Sequence, residues 1–242
     1  MPVGLGSGGK AHGMTDAATA RDDEQAEVLR RLEEDIIFGR LAPGARLVED
    51  NLMARYGASR HYIRLALVQL ERNGVARREK NIGATVRSYS ADEVRQIYEV
   101  REMLTRQAVL RISLPAVPEL IEGLRAIQAA YVRHAEAGNL TGIHETNDAF
   151  HITLFSACGN SYLVRTLQDY MGLTLPMRAK NLADRDGLAL SRRQHDIMIE
   201  LLQQTDGWAL AQLCVDHMQY SKADYLERIA PNGRKADPGF AD

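Results

Sequence analysis

Gly57-Ala58-Ser59-Arg60-His61-Tyr62-Ile63-Arg64 is the stretch whose reading decides the fold. A short helical pattern from Glu49 to Tyr56 runs into it and stops at Gly57, a residue suited to a tight turn. A second helical pattern starts at Arg60. It places Ile63, Leu67 and Leu70 on one face and keeps Arg60, Arg64 and Arg72 off that face. Past Asn73-Gly74, the segment Val75 to Arg87 reads as a basic hairpin with Lys80, Asn81 and Gly83 at its tip. Helix, turn, arginine-bearing helix and wing together predict a winged helix-turn-helix, a unit that lays its second helix in the major groove of double-stranded DNA.

Charge along the chain supports that partner. The 242 residues carry a net charge of −2, an unpromising value for a DNA binder taken whole. Between Arg55 and Arg87, however, eight Lys or Arg stand against two Glu, a local surplus of six positive charges. From Ala91 onward 16 Lys or Arg face 20 Asp or Glu, so the cationic unit is joined to an acidic one. Only the first is expected to meet phosphate. No apolar run is long enough to span a bilayer, and the first twenty residues lack the apolar block of a secretion signal. A cytoplasmic protein without membrane association is the expectation. Cys158 and Cys214 have no metal or redox spacing and are expected as buried thiols.

Working outward, residues 1–20 lack periodicity and predict a disordered tail, and residues 21–89 hold the winged unit. Within that unit an amphipathic helix over 23–39 carries Val28, Leu32, Ile36 and Ile37. Residues 90–230 form a second domain, and 231–242 a polar tail. Ser90-Ala91-Asp92-Glu93 reads as a capped helix start. Helices are predicted near 92–112, 117–138, 140–158, 161–182, 190–205 and 207–229, with Pro176 bending the fourth. The fold class is therefore mainly α: a winged helix-turn-helix followed by an all-α bundle.

Three of the seven histidines stand out by their placement on bundle helices: His151, one turn after Asn147, then His195 and His217; His12, His61, His134 and His144 are read as non-ligands. Imidazoles meeting from three helices would suit Zn²⁺, Ni²⁺ or a similar divalent ion. Taken singly, each could equally be a core or surface residue. Arg101 on the first bundle helix could, on the residues alone, be a surface partner of Glu102 or Asp169.

Gly39-Arg40-Leu41-Ala42-Pro43-Gly44-Ala45-Arg46-Leu47, Leu52 to Arg60 and Ile63 to Gly74 together resemble the GntR family of bacterial transcription regulators. Leu65 departs from the pattern, where the family usually carries Glu. The helical second domain resembles the FadR-type effector domain (FCD), and six helices resemble its VanR-like branch. The resemblance implies that Arg60 and Arg64, with Ser59 and His61 beside them, contact DNA bases. An arginine there can donate two parallel bonds to guanine. Arg46 and Arg55 would touch phosphate or sugar, and Lys80, Asn81 and Gly83 would enter the minor groove. It further implies a metal held by His151, His195 and His217. Asn147 stands where the family carries a carboxylate ligand, and Asp148 lies one residue off that face. Arg101 would receive the carboxylate of a small organic or sugar acid, with Asn147, Arg178 and Asn181 as further pocket candidates.

The expectation is a homodimeric, ligand-responsive transcription regulator, a repressor by preference, and not an enzyme. Two alternatives remain open: a helical metalloenzyme such as a hydrolase, and an architectural DNA binder whose bundle only dimerises. Against the enzyme stands the lack of a His-Glu-x-x-His pair or a reserved general base.

Overall fold

The computed structural model describes residues 12–80, 82–178 and 184–230. Helix α1 (His12–Ile37) starts inside the stretch expected to be a tail. Its Leu32 and Ile36 pack with Leu52 of α2 (Glu49–Tyr56) and with Ile63, Leu67 and Leu70 of α3 (Arg60–Arg72) in one buried core. Strands β1 (Ala76–Glu79) and β2 (Gly83–Val86) pair antiparallel, with Ala76 opposite Val86 and Glu79 opposite Gly83, and close that core with Val75 and Val86. Gly57 ends α2 at φ 66°, a left-handed conformation that an L side chain rarely adopts. That residue sets the sharp change of direction between α2 and α3.

The second domain holds α4 (Ala91–Val109), α5 (Pro118–Glu136), α6 (Leu140–Ser156), α7 (Ser161–Leu173), α8 (Leu175–Arg178), α9 (Arg185–Leu201) and α10 (Gly207–Ile229). Local chemistry fixes most starts. Ser90 and Glu93 form a reciprocal capping box, and Asn139, Asn160, Asp184 and Asp206 each accept a hydrogen bond from the first turn of their helix. Phe150, Leu154, Leu167, Met198, Leu210 and Cys214 meet in the bundle core. Cys158 and Cys214 are buried free thiols.

Three expectations are corrected. The single helix over 161–182 is two: α7 ends at Leu173, and α8 is a separate short turn containing Pro176. The described part of the second domain thus has seven helical segments, and the count of six does not hold. Helix α9 begins at Arg185 and not at 190, because Asp184 caps it.

The two domains share material. Leu175 of α8 is buried within the first domain's core, whereas Met177, two residues on, is buried in a bundle cluster with Tyr98 and Met218. Thr141 of α6 donates a 2.6 Å hydrogen bond to Glu34 of α1. Tyr89 donates at 2.7 Å to the carbonyl of Gly74. A cavity of about 360 Å³ lies between α1 and α6, with Glu33, His144 and Asp148 among its lining.

Candidate functional site

Two constellations stand out, one on the face of α3 and one inside the bundle. At the first, Arg60 and Arg64 project outward with 49% and 62% of their side chains exposed. Both are held by carboxylates of α2: Arg60 reaches Asp50 at 2.5 Å, and Arg64 reaches Glu49 at 3.0 Å. Ser59 and His61 are exposed beside them.

Arg46 donates at 2.9 Å to the carbonyl of Ile82 and so ties the chain to the wing tip. Lys80 and Gly83 lie exposed at that tip; Asn81 is outside the described residues. Arg55, expected at the phosphate backbone, has a side chain 43% exposed and also pairs with buried Asp35 at 2.5 Å. Burial alone would raise the Asp35 carboxyl, but donors from Tyr56, Arg40 and Arg55 bring it below the ordinary range. A buried carboxylate needs such partners.

The second constellation is the histidine set. His151 of α6, His195 of α9 and His217 of α10 point their Nε2 atoms at one another, 3.1 Å between His151 and His217 and 3.4 Å between His151 and His195. The opposite ring nitrogens are fixed. His195 Nδ1 lies 3.1 Å from Gln128 Oε1, and His217 Nδ1 lies 2.8 Å from Gln194 Oε1. Gln128 uses its amide nitrogen on the Arg192 carbonyl and on Asp196, so its oxygen is the atom left for His195. An imidazole donating from Nδ1 keeps a lone pair on Nε2. At least two lone pairs therefore converge on one point, and the third ring faces the same point. Burial is the main reason that all three rings resist protonation. It holds His151 and His195 well below the ordinary value, and with nearby Arg101 and Arg178 it lowers His217 to about 3.

Asn147, one turn before His151, is buried and its Oδ1 has no hydrogen-bond partner. Three facing imidazole nitrogens beside an orphaned amide oxygen match the donor set of a divalent ion. Glutamine support for two of the rings is what a metal-binding histidine requires.

The cavity beside this set is lined by Arg101, Asn147, Arg178, Gln194 and Tyr220, among others. Arg101 is buried, donates at 2.9 Å to Thr174 Oγ1, and makes no surface pair with Glu102, which bonds Lys222 at 2.9 Å. Burial lowers Arg101 to about 10, which leaves it protonated at neutral pH. Arg178 grips Asp148 through both carboxylate oxygens, one bond measuring 2.8 Å. Burial would raise Asp148, but this partner brings it down to about 2. Asn181 lies outside the described residues. Sequence reasoning missed Gln128, Gln194, Thr174 and the Asp148 pairing. Gln128 alone left a trace, as a polar residue on the face of α5 that carries Leu124 and Tyr131.

A winged reader whose arginines face outward, joined to a bundle with a polar internal cavity, defines a two-domain DNA-binding regulator. Residues 96–220 match the FCD domain model, and residues 24–86 match the model described as bacterial regulatory proteins, gntR family. The chain belongs to the GntR family of transcription regulators, in the group that carries an FCD domain. Similar proteins include the HTH-type regulator YdhC of Bacillus subtilis, 24% identical over 85% of this chain and 92% of that one. The HTH-type transcriptional repressor RspR of Escherichia coli is 24% identical over 80% and 85%. Among solved structures, Escherichia coli McbR/YncC superposes with a TM-score of 0.69 at 19% identity, covering 85% of this chain and 98% of that one. These relatives are regulators and not enzymes, and no described helix is long and apolar enough to cross a membrane.

Proposed function

We propose that this regulator is a homodimeric repressor that senses a small organic acid at a divalent metal site in its bundle. His151, His195 and His217, with Asn147, would hold Zn²⁺, Ni²⁺ or a similar ion. When bound, that ion supplies a positive centre for an oxygen of the acid. Arg101, already desolvated and hydrogen-bonded to Thr174, offers the second grip on the anion. The observation carrying the reading is the convergence of three imidazole nitrogens beside the unpartnered Asn147 oxygen.

On the DNA side, Arg60 and Arg64 would read base edges, with Ser59 and His61 flanking them and the wing tip, Lys80 to Gly83, in the minor groove. Readout this small calls for two half-sites, hence a dimer on a pseudo-palindrome. The signal would pass through α8. Thr174 touches Arg101, Arg178 lines the cavity, and Leu175 is embedded in the reader's core. An anion that draws on both arginines shifts that turn, and with it the packing of α1 and α3.

Metal analysis of purified protein tests the reading: about one ion per chain is expected, reduced by His195→Ala. Repeated analyses without metal, or operator binding that no organic acid alters, would reject it.

A further inference from the structure

The charges around the bundle cavity do not balance. Arg101 and Arg178 are only 5% and 7% exposed, and each leaves its Nε without a hydrogen-bond partner. Asp148 is the carboxylate that faces them, and Arg178 holds both of its oxygens. Arg101 has a hydroxyl, Thr174, and the ring of Tyr98, but no ion pair among the described residues. Its neighbour Glu102 is turned to Lys222 and Gln219. The imidazoles add no negative charge, and Asn147 is a neutral amide where a carboxylate would have supplied one.

With Asp148 and Arg178 cancelling, the protein contributes one uncompensated positive charge. A divalent ion at the histidines raises the total to three. Buried charge of one sign is costly in a site walled by protein, so a ligand is favoured in proportion to the negative charge it brings. We infer that the cavity selects small organic dianions over monoanions, one acid group meeting the histidine site and the other Arg101, and that Asn147 sets this preference. This rests on the metal-site reading above.

Calorimetry on metal-loaded protein would compare succinate with butyrate, glutarate with valerate, and malate with 3-hydroxybutyrate. Inorganic phosphate is included to separate charge alone from two separated acid groups. At least one dianion is expected to bind roughly tenfold or more tighter than its partner, the gain of one further charge-assisted contact. It should also bind tighter than phosphate, and Asn147→Asp, which restores a carboxylate, should narrow the ratio. Equal affinities in every pair, phosphate as the best ligand, or no binding by any probe would overturn the inference. Metal content is measured on the same samples. Loaded protein that ignores ligand charge removes only this inference, whereas protein that holds no metal removes the parent reading with it.

Discussion

Gln128→Leu removes the acceptor that fixes His195 while leaving all three imidazoles in place. In the native protein His195 Nδ1 meets Gln128 Oε1 at 3.1 Å, and His195 is fully buried, so no water can substitute for the lost oxygen. With a metal on Nε2, the proton must stay on Nδ1, where it would face leucine. An unsatisfied buried donor costs about 1–3 kcal/mol. In stripped protein the ring escapes that cost by moving its proton to Nε2, toward His151 at 3.4 Å. The lost bonds to Arg192 and Asp196 cost both forms alike, whereas the penalty at Nδ1 falls on the loaded form and appears as lost metal affinity, roughly 10–100-fold, which is the usual size of such effects. Competition against a chelating dye measures it, with thermal melts of stripped and loaded protein alongside. The melting temperature of the stripped variant should move less than that of the loaded one. Metal affinity within twofold of the native protein would refute the argument, as would equal shifts in the two melts.

Other perturbations address the remaining links. Arg60→Ala with Arg64→Ala should abolish operator-specific binding in a gel-shift assay while leaving metal content unchanged; retained specificity would reject the assignment. Leu175→Ala empties part of the reader's core and should cost about 2 kcal/mol, a fall in melting temperature of roughly 4–8 °C. Because that approaches a typical coupling energy of about 1–3 kcal/mol, the effect of a bound acid on operator affinity should shrink toward unity, while Leu175→Met preserves it. Burial, and secondarily the charge of Asp148, raises the Glu33 carboxyl to about 7 although Asn73 donates to it. A carboxyl raised on folding contributes stability that is complete below its unfolded value near 4.5 and is lost as pH rises through about 7. Native protein should thus melt higher at pH 5.5 than at pH 8.5 by a margin that Glu33→Gln removes, and an unchanged margin would place the effect elsewhere.

The reader domain was almost wholly legible because its determinants are local. Gly57 turns the chain, Ile63, Leu67 and Leu70 repeat at helical spacing, and the wing's strands follow each other directly. Arg55 was the exception. Its partner Asp35 lies twenty residues earlier, and nothing near Arg55 signals that a carboxylate is buried there. In the bundle, helix starts were legible at Ser90, Asn139, Asn160 and Asp206, but the cap at Asp184 was passed over and α9 was started late. The break at Thr174 was not, since apolar residues continue through Leu173, Leu175 and Met177 although Leu175 and Met177 serve two different cores. The histidines were found, but their support was hidden, because Gln128 meets His195 across 67 residues of chain. Such pairings are decided by packing between helices, which one-dimensional spacing does not encode.

Glu49 and Asp50 give the reader a built-in competitor. Before any duplex arrives, Arg60 and Arg64 are already engaged by oxygens of their own chain. If Arg60 and Arg64 read bases as proposed, docking is an exchange of acceptors. Exposed pairs of this kind are screened by solvent and weak, whereas a well-placed guanine returns about 1–3 kcal/mol. On that reading random sequence would gain little from the swap and a matched site would gain clearly, so two acidic residues at the start of α2 would sharpen discrimination without touching a base.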